Sequence, residues 1–159
     1  PGTGILMNDE MDDIAVKIGS NNAFQAVGGK NNLVEPEKRP LSSMSPTIVK
    51  KNGQTILALG TPSGTRILTC VAQVMLNYLE HDLSLWDSVA ATRIHHQWSP
   101  DAIRIGSPGL SGEVKRKISL KGHKILSQDL GCKIQAVALD EEGLRGVSDP
   151  RGEGLAKGL

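Results

Sequence analysis

SPTIVKKNGQTILALGTPSGTRILTCVAQVMLNYLE, residues 45–80, decides the fold. Two apolar runs, Ser45–Lys50 and Thr55–Leu59, flank KNGQ, and Asn52-Gly53 is the strongest short-range marker of a hairpin turn. GTPSGTR, residues 60–66, is a turn rich in Gly, Ser, Thr and Pro. From Arg66 to Glu80 the apolar residues Ile67, Leu68, Val71, Val74, Met75, Tyr78 and Leu79 fall at offsets of three and four, the helix period. The order is hairpin, tight turn, helix.

Working downstream, a second helix is expected over Ser84–Ala91, with Ser84 as its cap and Asp87 as an imperfect capping-box partner. RIHHQWSPDAIRI, residues 93–105, reads as irregular chain leading into a short strand. Ser111–Lys121 suits a third helix ended by Gly122, and Ile125–Leu126 a short strand. Lys133–Leu139 alternates with two fairly apolar faces, as in a covered sheet, and DEEG turns it into Leu144–Val147. Upstream, residues 1–44 are polar and aperiodic. They read as a long ordered loop, with Pro36, Pro40 and Pro46 restraining the backbone. The expected fold is α+β, antiparallel strands with helices packed on them. It forms one domain over 1–159, with a loop region at 1–44 and a sheet-and-helix body at 45–159.

The 159 residues are 38% hydrophobic and 22% charged, a globular rather than a disordered composition. Eighteen Lys plus Arg against seventeen Asp plus Glu leave a net charge of +1, which argues against a nucleic-acid partner or a polybasic membrane surface. No apolar run is long enough to span a membrane. Cys70 and Cys132 each lie in apolar contexts and read as buried free thiols ahead of a disulfide. His81, His95, His96 and His123 lack metal-ligand spacing, so neither metal nor cofactor is expected.

Three clusters carry chemistry. In NDEMDD, Asn8 to Asp13, Glu10 and Asp13 are three apart, and the crowded carboxylates call for a nearby cation such as a substrate ammonium; a solvated acidic loop is the alternative. In RPLSSMSPT, Ser42 and Ser43 present hydroxyl and amide donors to a carboxylate or phosphate, or else form a polar turn. In GTPSGTR, backbone N–H groups at a helix start suit a phosphate or the oxyanion of an acyl-transfer intermediate, or are a simple turn.

In order, GILMNDEMDD, KRPLSSMSPTIV, GTPSGTRI, RIHHQW and GVSDPR closely resemble the small subunit of gamma-glutamyltransferases, also called gamma-glutamyl transpeptidases, over nearly the whole chain. The resemblance implies an N-terminal-nucleophile hydrolase, a four-layer αββα sandwich made by self-cleavage before a threonine that becomes the nucleophile. It makes Glu10 and Asp13 the contacts of the glutamyl α-ammonium, and Ser42 and Ser43 those of the carboxylate side and pocket wall. Ser63 and Gly64 supply the backbone oxyanion hole, where the family has Gly-Gly, and Arg66 buttresses the turn. His95, His96 and Gln97 are structural. The implied substrates are glutathione and glutamine, with amino acid or dipeptide acceptors. The implied partner is the large subunit of the same precursor, in the periplasm or secreted. The family's Thr-Thr-His segment lies upstream of the part matched here, and Thr3 does not match it. The chain therefore reads as a fragment lacking its nucleophile, inactive alone and prone to self-association. Alternatives are a glutaryl or poly-gamma-glutamate acylase of the same fold, or an inert homologue.

Overall fold

The structure, a computed structural model, describes residues 2–5 and 7–158. The chain divides into two compact units, Pro1–Ser43 and Met44–Leu159.

The first unit is nearly free of regular structure, with 3₁₀ turns at Glu10–Asp13 and Lys30–Asn32 and single bridges pairing Ala15 with Leu33 and Asn21 with Val27. Asparagine side chains replace ladder bonds. Asn22 Oδ1 accepts from the amides of Phe24 and Ala26 at 3.0 and 2.9 Å, while its Nδ2 donates to the Asp12 carbonyl at 3.0 Å. Asn32 Nδ2 donates to the Asp13 carbonyl at 2.7 Å. Such side-chain bonds are the local alternative to helix and sheet. Gly28 lies so close to Ala15 that a Cβ on it would stand 2.0 Å from that of Ala15.

The second unit is α+β. Its main sheet has the antiparallel order β1 (Thr47–Lys51), β2 (Gln54–Gly60), β6 (Gln135–Asp140), β7 (Gly143–Ser148). Asn52 and Gly53, at φ +51° and +81°, make the expected turn between β1 and β2, both in the left-handed region that a primed hairpin turn requires. Helix α1 (Ile67–Leu79) presents Ile67, Cys70, Val71 and Val74 to a core shared with Leu57, Leu59, Ala136 and Ala138 of the sheet. Helix α2 (Leu85–Ala90) adds Leu85 and Val89 and is capped by Ser84, whose Oγ accepts from the Asp87 amide at 3.0 Å and donates to its carboxylate at 2.6 Å. The opposite sheet face is open: Ile48 and Val137 are exposed beside Ala58, along a groove of about 770 Å³.

Helix α3 (Gly112–Leu120) begins at Ser111 and ends before Gly122, as its sequence predicts. The stretch expected to be irregular contains a strand. β3 (Ile94–His95) pairs antiparallel with β4 (Ile103–Ile105), which pairs in parallel with β5 (Ile125–Ser127). Two residues are too few for period-2 alternation to mark a strand. Among the described residues no helix is long and apolar enough to cross a membrane.

The expectation of free thiols is overturned: Cys70 and Cys132 form a disulfide, with Cα atoms 6.5 Å apart. Both are buried in the same core cluster. The apolar context of each cysteine foretold its burial, but their meeting across 62 residues is a product of the tertiary fold.

A second feature went unread. Asp149 is buried between two guanidiniums, Arg93 Nη2 at 2.5 Å and Arg151 Nη1 at 2.9 Å. Its oxygens also accept from the amides of Ile134 and Arg151, each at 3.0 Å. Burial pushes this carboxyl up, but the amides and guanidiniums outweigh it and hold the group below its ordinary value. The arginines also donate to the carbonyls of Val89, Ala90 and Ala91, the orphan acceptors at the end of α2.

Candidate functional site

The first unit holds Glu10, Asp13, Ser42 and Ser43. Glu10 and Asp13 open and close one 3₁₀ turn, where residues three apart eclipse, so their side chains leave one face. The Glu10 amide donates to Asn8 Oδ1 at 3.2 Å, which seats the start of the turn. Asp13 Oδ2 accepts from both the amide and the hydroxyl of Ser43, at 3.0 and 2.8 Å. The structure thus joins two of the expected residues across 30 positions. Asp13 Oδ1 has no donor among the described residues. Asp12 turns elsewhere, accepting from the Ala23 amide at 3.0 Å. Backbone and hydroxyl donors disperse the charge that looked crowded in the sequence. One oriented, half-satisfied carboxylate beside Glu10 suits a small cation such as an α-ammonium. Ser42 adjoins Ser43 and is exposed.

Ser63 and Gly64 lie in the second unit, where the chain leaves β2 and enters a 3₁₀ turn, Gly64–Arg66, continuous with α1. Ser63 has φ +128° and Gly64 +53°. The first is a conformation that glycine adopts freely and that costs serine about 1 kcal/mol. The Ser63 hydroxyl donates to the Leu130 carbonyl, and Arg66 Nη1 reaches the same oxygen at 3.3 Å. Arg66 also donates its amide to Ser63 O at 3.1 Å. Burial and the nearby Arg104 guanidinium lower the Arg66 pKa, while Asp129 opposes them. Among the described residues the amides of Ser63 and Gly64 have no acceptor. Two unpaired N–H groups at the positive end of a helix favour a guest oxygen that gains negative charge.

Behind this turn, Thr65 Oγ1 donates to Gln97 Oε1 at 2.9 Å, and His95 Nε2 meets the same oxygen at 2.7 Å. Because that oxygen only accepts, His95 Nε2 carries a proton toward it, while Nδ1 lies 2.9 Å from Thr69 Oγ1, whose own hydroxyl donates to the Arg66 carbonyl at 3.0 Å. Burial lowers the His95 pKa, the Gln97 bond opposes, and Arg104, Arg66 and His96 reinforce the fall. Burial thus disfavours the charged imidazolium, and Gln97 Oε1 ties His95 to Thr65. Sequence spacing missed this tie, because residues 65, 69, 95 and 97 meet only through the β3 strand. His96 pairs instead with exposed Asp101 at 2.9 Å. Among the described residues there is no cluster of His, Cys, Asp and Glu able to hold a metal.

The geometry defines a class: an α+β chain with an anchored carboxylate in one unit and an anion-seeking turn in the other. The gamma-glutamyltranspeptidase family model matches residues 1–159, and the chain belongs to that family. It is 43% identical over 150 residues to the glutathione hydrolase proenzyme of Escherichia coli strain K12, covering 94% of this chain and 26% of that protein. With the glutathione hydrolase proenzyme of Pseudomonas aeruginosa it shares 44% over 157 residues, covering 97% and 28%. The solved gamma-glutamyltranspeptidase from Pseudomonas nitroreducens, complexed with L-DON, superposes with a TM-score of 0.91 at 43% identity, covering 99% of this chain and 83% of that one. The chain spans about a quarter of the length of these curated relatives.

Proposed function

We propose that the chain is the C-terminal part of the small subunit of a gamma-glutamyl transferase and hydrolase acting on glutathione-like amides. In the mature enzyme an N-terminal threonine, supplied by another part of the self-cleaved precursor, attacks the gamma-carbonyl. Its own amine takes the hydroxyl proton. The carbonyl oxygen becomes an oxyanion facing the Ser63 and Gly64 amides. The threonine amine passes that proton to the substrate's nitrogen. The C–N bond breaks as the oxyanion collapses, the substrate's amine leaves, and a gamma-glutamyl ester remains. Water, or the amine of an amino acid or dipeptide, then releases it. Asp13 and Glu10 grip the α-ammonium, and Ser42 and Ser43 line the carboxylate side. The observation that carries this reading is Asp13 Oδ2 pinned by Ser43, because it leaves a fixed carboxylate for an ammonium. A glutaryl acyl group lacks that ammonium and would have no use for it. The Cys70–Cys132 disulfide supports an oxidising compartment, periplasmic or extracellular. The 159 residues alone bring no activated nucleophile in this scheme and are expected to be inactive.

The test is to express the whole precursor, verify its cleavage, and follow release from gamma-glutamyl and glutaryl anilides. Gamma-glutamyl turnover that falls about a hundredfold in Asp13→Asn, from loss of a charged contact, is the expected result. A cleaved protein that prefers the glutaryl anilide would overturn the reading.

A further inference from the structure

The turn that bears Ser63 and Gly64 is closed into a ring that no feature of its local sequence requires. Along the chain, Ser63 leads through the Gly64–Arg66 turn into α1 and to Cys70. The disulfide crosses from Cys70 to Cys132. Two residues back stands Leu130, whose carbonyl accepts the Ser63 hydroxyl and closes the circuit. Three details show that the closure is fitted. Gly131, at φ +69°, lies against Ser63, where a Cβ would stand 3.0 Å from its Oγ; any larger residue crowds the hydroxyl. Arg66 Nη1 donates to the same Leu130 oxygen, so the segment is gripped at two points of the turn. Ser63 itself holds φ +128°, a conformation that a serine keeps only where its surroundings hold it.

We propose that Ser63, Gly131 and the Cys70–Cys132 disulfide are positioning elements. Together they fix the Leu130 carbonyl, and through it the direction of the Ser63 and Gly64 amides. The hydroxyl never touches substrate; it holds its own residue's amide on target. The disulfide acts at the far side of the ring, keeping Leu130 within reach. The catalytic consequence rests on the reading of this turn as an oxyanion hole, and the two readouts below separate the claims.

The mature enzyme is prepared with Ser63→Ala, with Gly131→Ala, with Cys70→Ala and Cys132→Ala together, and with Ser63→Ala added to the cysteine pair. Each opening of the ring is expected to lower kcat on a gamma-glutamyl anilide about tenfold, part of the loss seen when an oxyanion donor is removed outright. KM stays unchanged, a split that general loosening would not give. The combined variant is expected to be no slower than the slower of its parents, since one break already opens the ring. Hydrogen exchange in the peptide covering residues 61–66 speeds up in every variant. Multiplicative losses in the combined variant, or unchanged exchange in that peptide, would overturn the proposal. If the cysteine variants do not fold, a Ser63→Ala enzyme with kcat within about twofold of the parent overturns it. If the parent enzyme releases no anilide, the oxyanion reading fails, and exchange alone decides whether the ring holds the turn.

Discussion

The two units are held by different physics. Among the described residues of the first, only Ile14 and Ala15 are buried, and its shape rests on Asn22, Asn32 and Asp13 bonding to backbone amides and carbonyls. The second encloses an aliphatic core between a sheet and two helices, cross-linked by a disulfide and by Asp149 between two arginines. A polar network fixes direction well but resists opening weakly, because water competes for each bond. An aliphatic core resists opening strongly and leaves little room for polar guests. The division suits the proposed work: the glutamyl grip sits in the polar unit, and the turn that needs rigid amides sits on the packed one.

Three substitutions break or sharpen this contrast. The largest effect is expected from Asp149→Ala, which leaves Arg93 buried without its counter-charge and frees the Ile134 amide. Urea unfolding should register a loss of about 3–5 kcal/mol. A loss below about 1 kcal/mol would mean that the ion network is a passenger of the core. Asn22→Ala removes three hydrogen bonds from the first unit, a change of about 2 kcal/mol after discounting for solvent competition. It should appear as faster hydrogen exchange at Phe24 and Ala26, with the exchange of α1 unaltered. Faster exchange throughout α1 as well would contradict this independence of the two units.

The smallest effect concerns pH. His95 is depressed below its ordinary value of 6.5 by burial, with Arg104, Arg66 and His96 adding positive charge around it. As pH falls below 6.5 the unfolded chain takes up a proton that the folded chain refuses. This contribution is therefore intact above that pH and lost as pH drops toward the folded-state value. The slope stays below about 1.4 kcal/mol per pH unit, the limit for one proton. Asp149 loses its own contribution only further down, below its ordinary value of 3.8. Thermal melts between pH 7 and 5 should show the decline in the parent and a flatter line in His95→Gln; equal slopes would remove His95 as its source.

What the sequence disclosed follows from how local each signal is. The Asn52-Gly53 turn, the three-and-four spacing of α1 and the Ser84 cap depend on neighbours within a few residues, and they appear where expected. Asp13 and Ser43 were each legible through the family motifs, yet their mutual bond spans 30 positions and has no local mark. The Cys70–Cys132 disulfide, the Arg93–Asp149–Arg151 network and the His95–Gln97–Thr65 tie are all meetings of distant segments. Composition and periodicity describe each partner alone and are silent on the meeting. Ser63 is a mixed case: its place in the turn was legible, while its positive φ and its hold on Leu130 required the backbone.

The disulfide also acts where there is no fold at all. A cross-link between residues 62 apart ties the unfolded chain into a large loop and removes conformations that the reduced chain would explore. In the chain-entropy account, a loop of this size raises the free energy of the denatured ensemble by about 4 kcal/mol. That is of the same order as the whole stability of many domains. The oxidised chain therefore starts its search for the native state from a smaller ensemble, with the future neighbours of α1 and β6 already tethered.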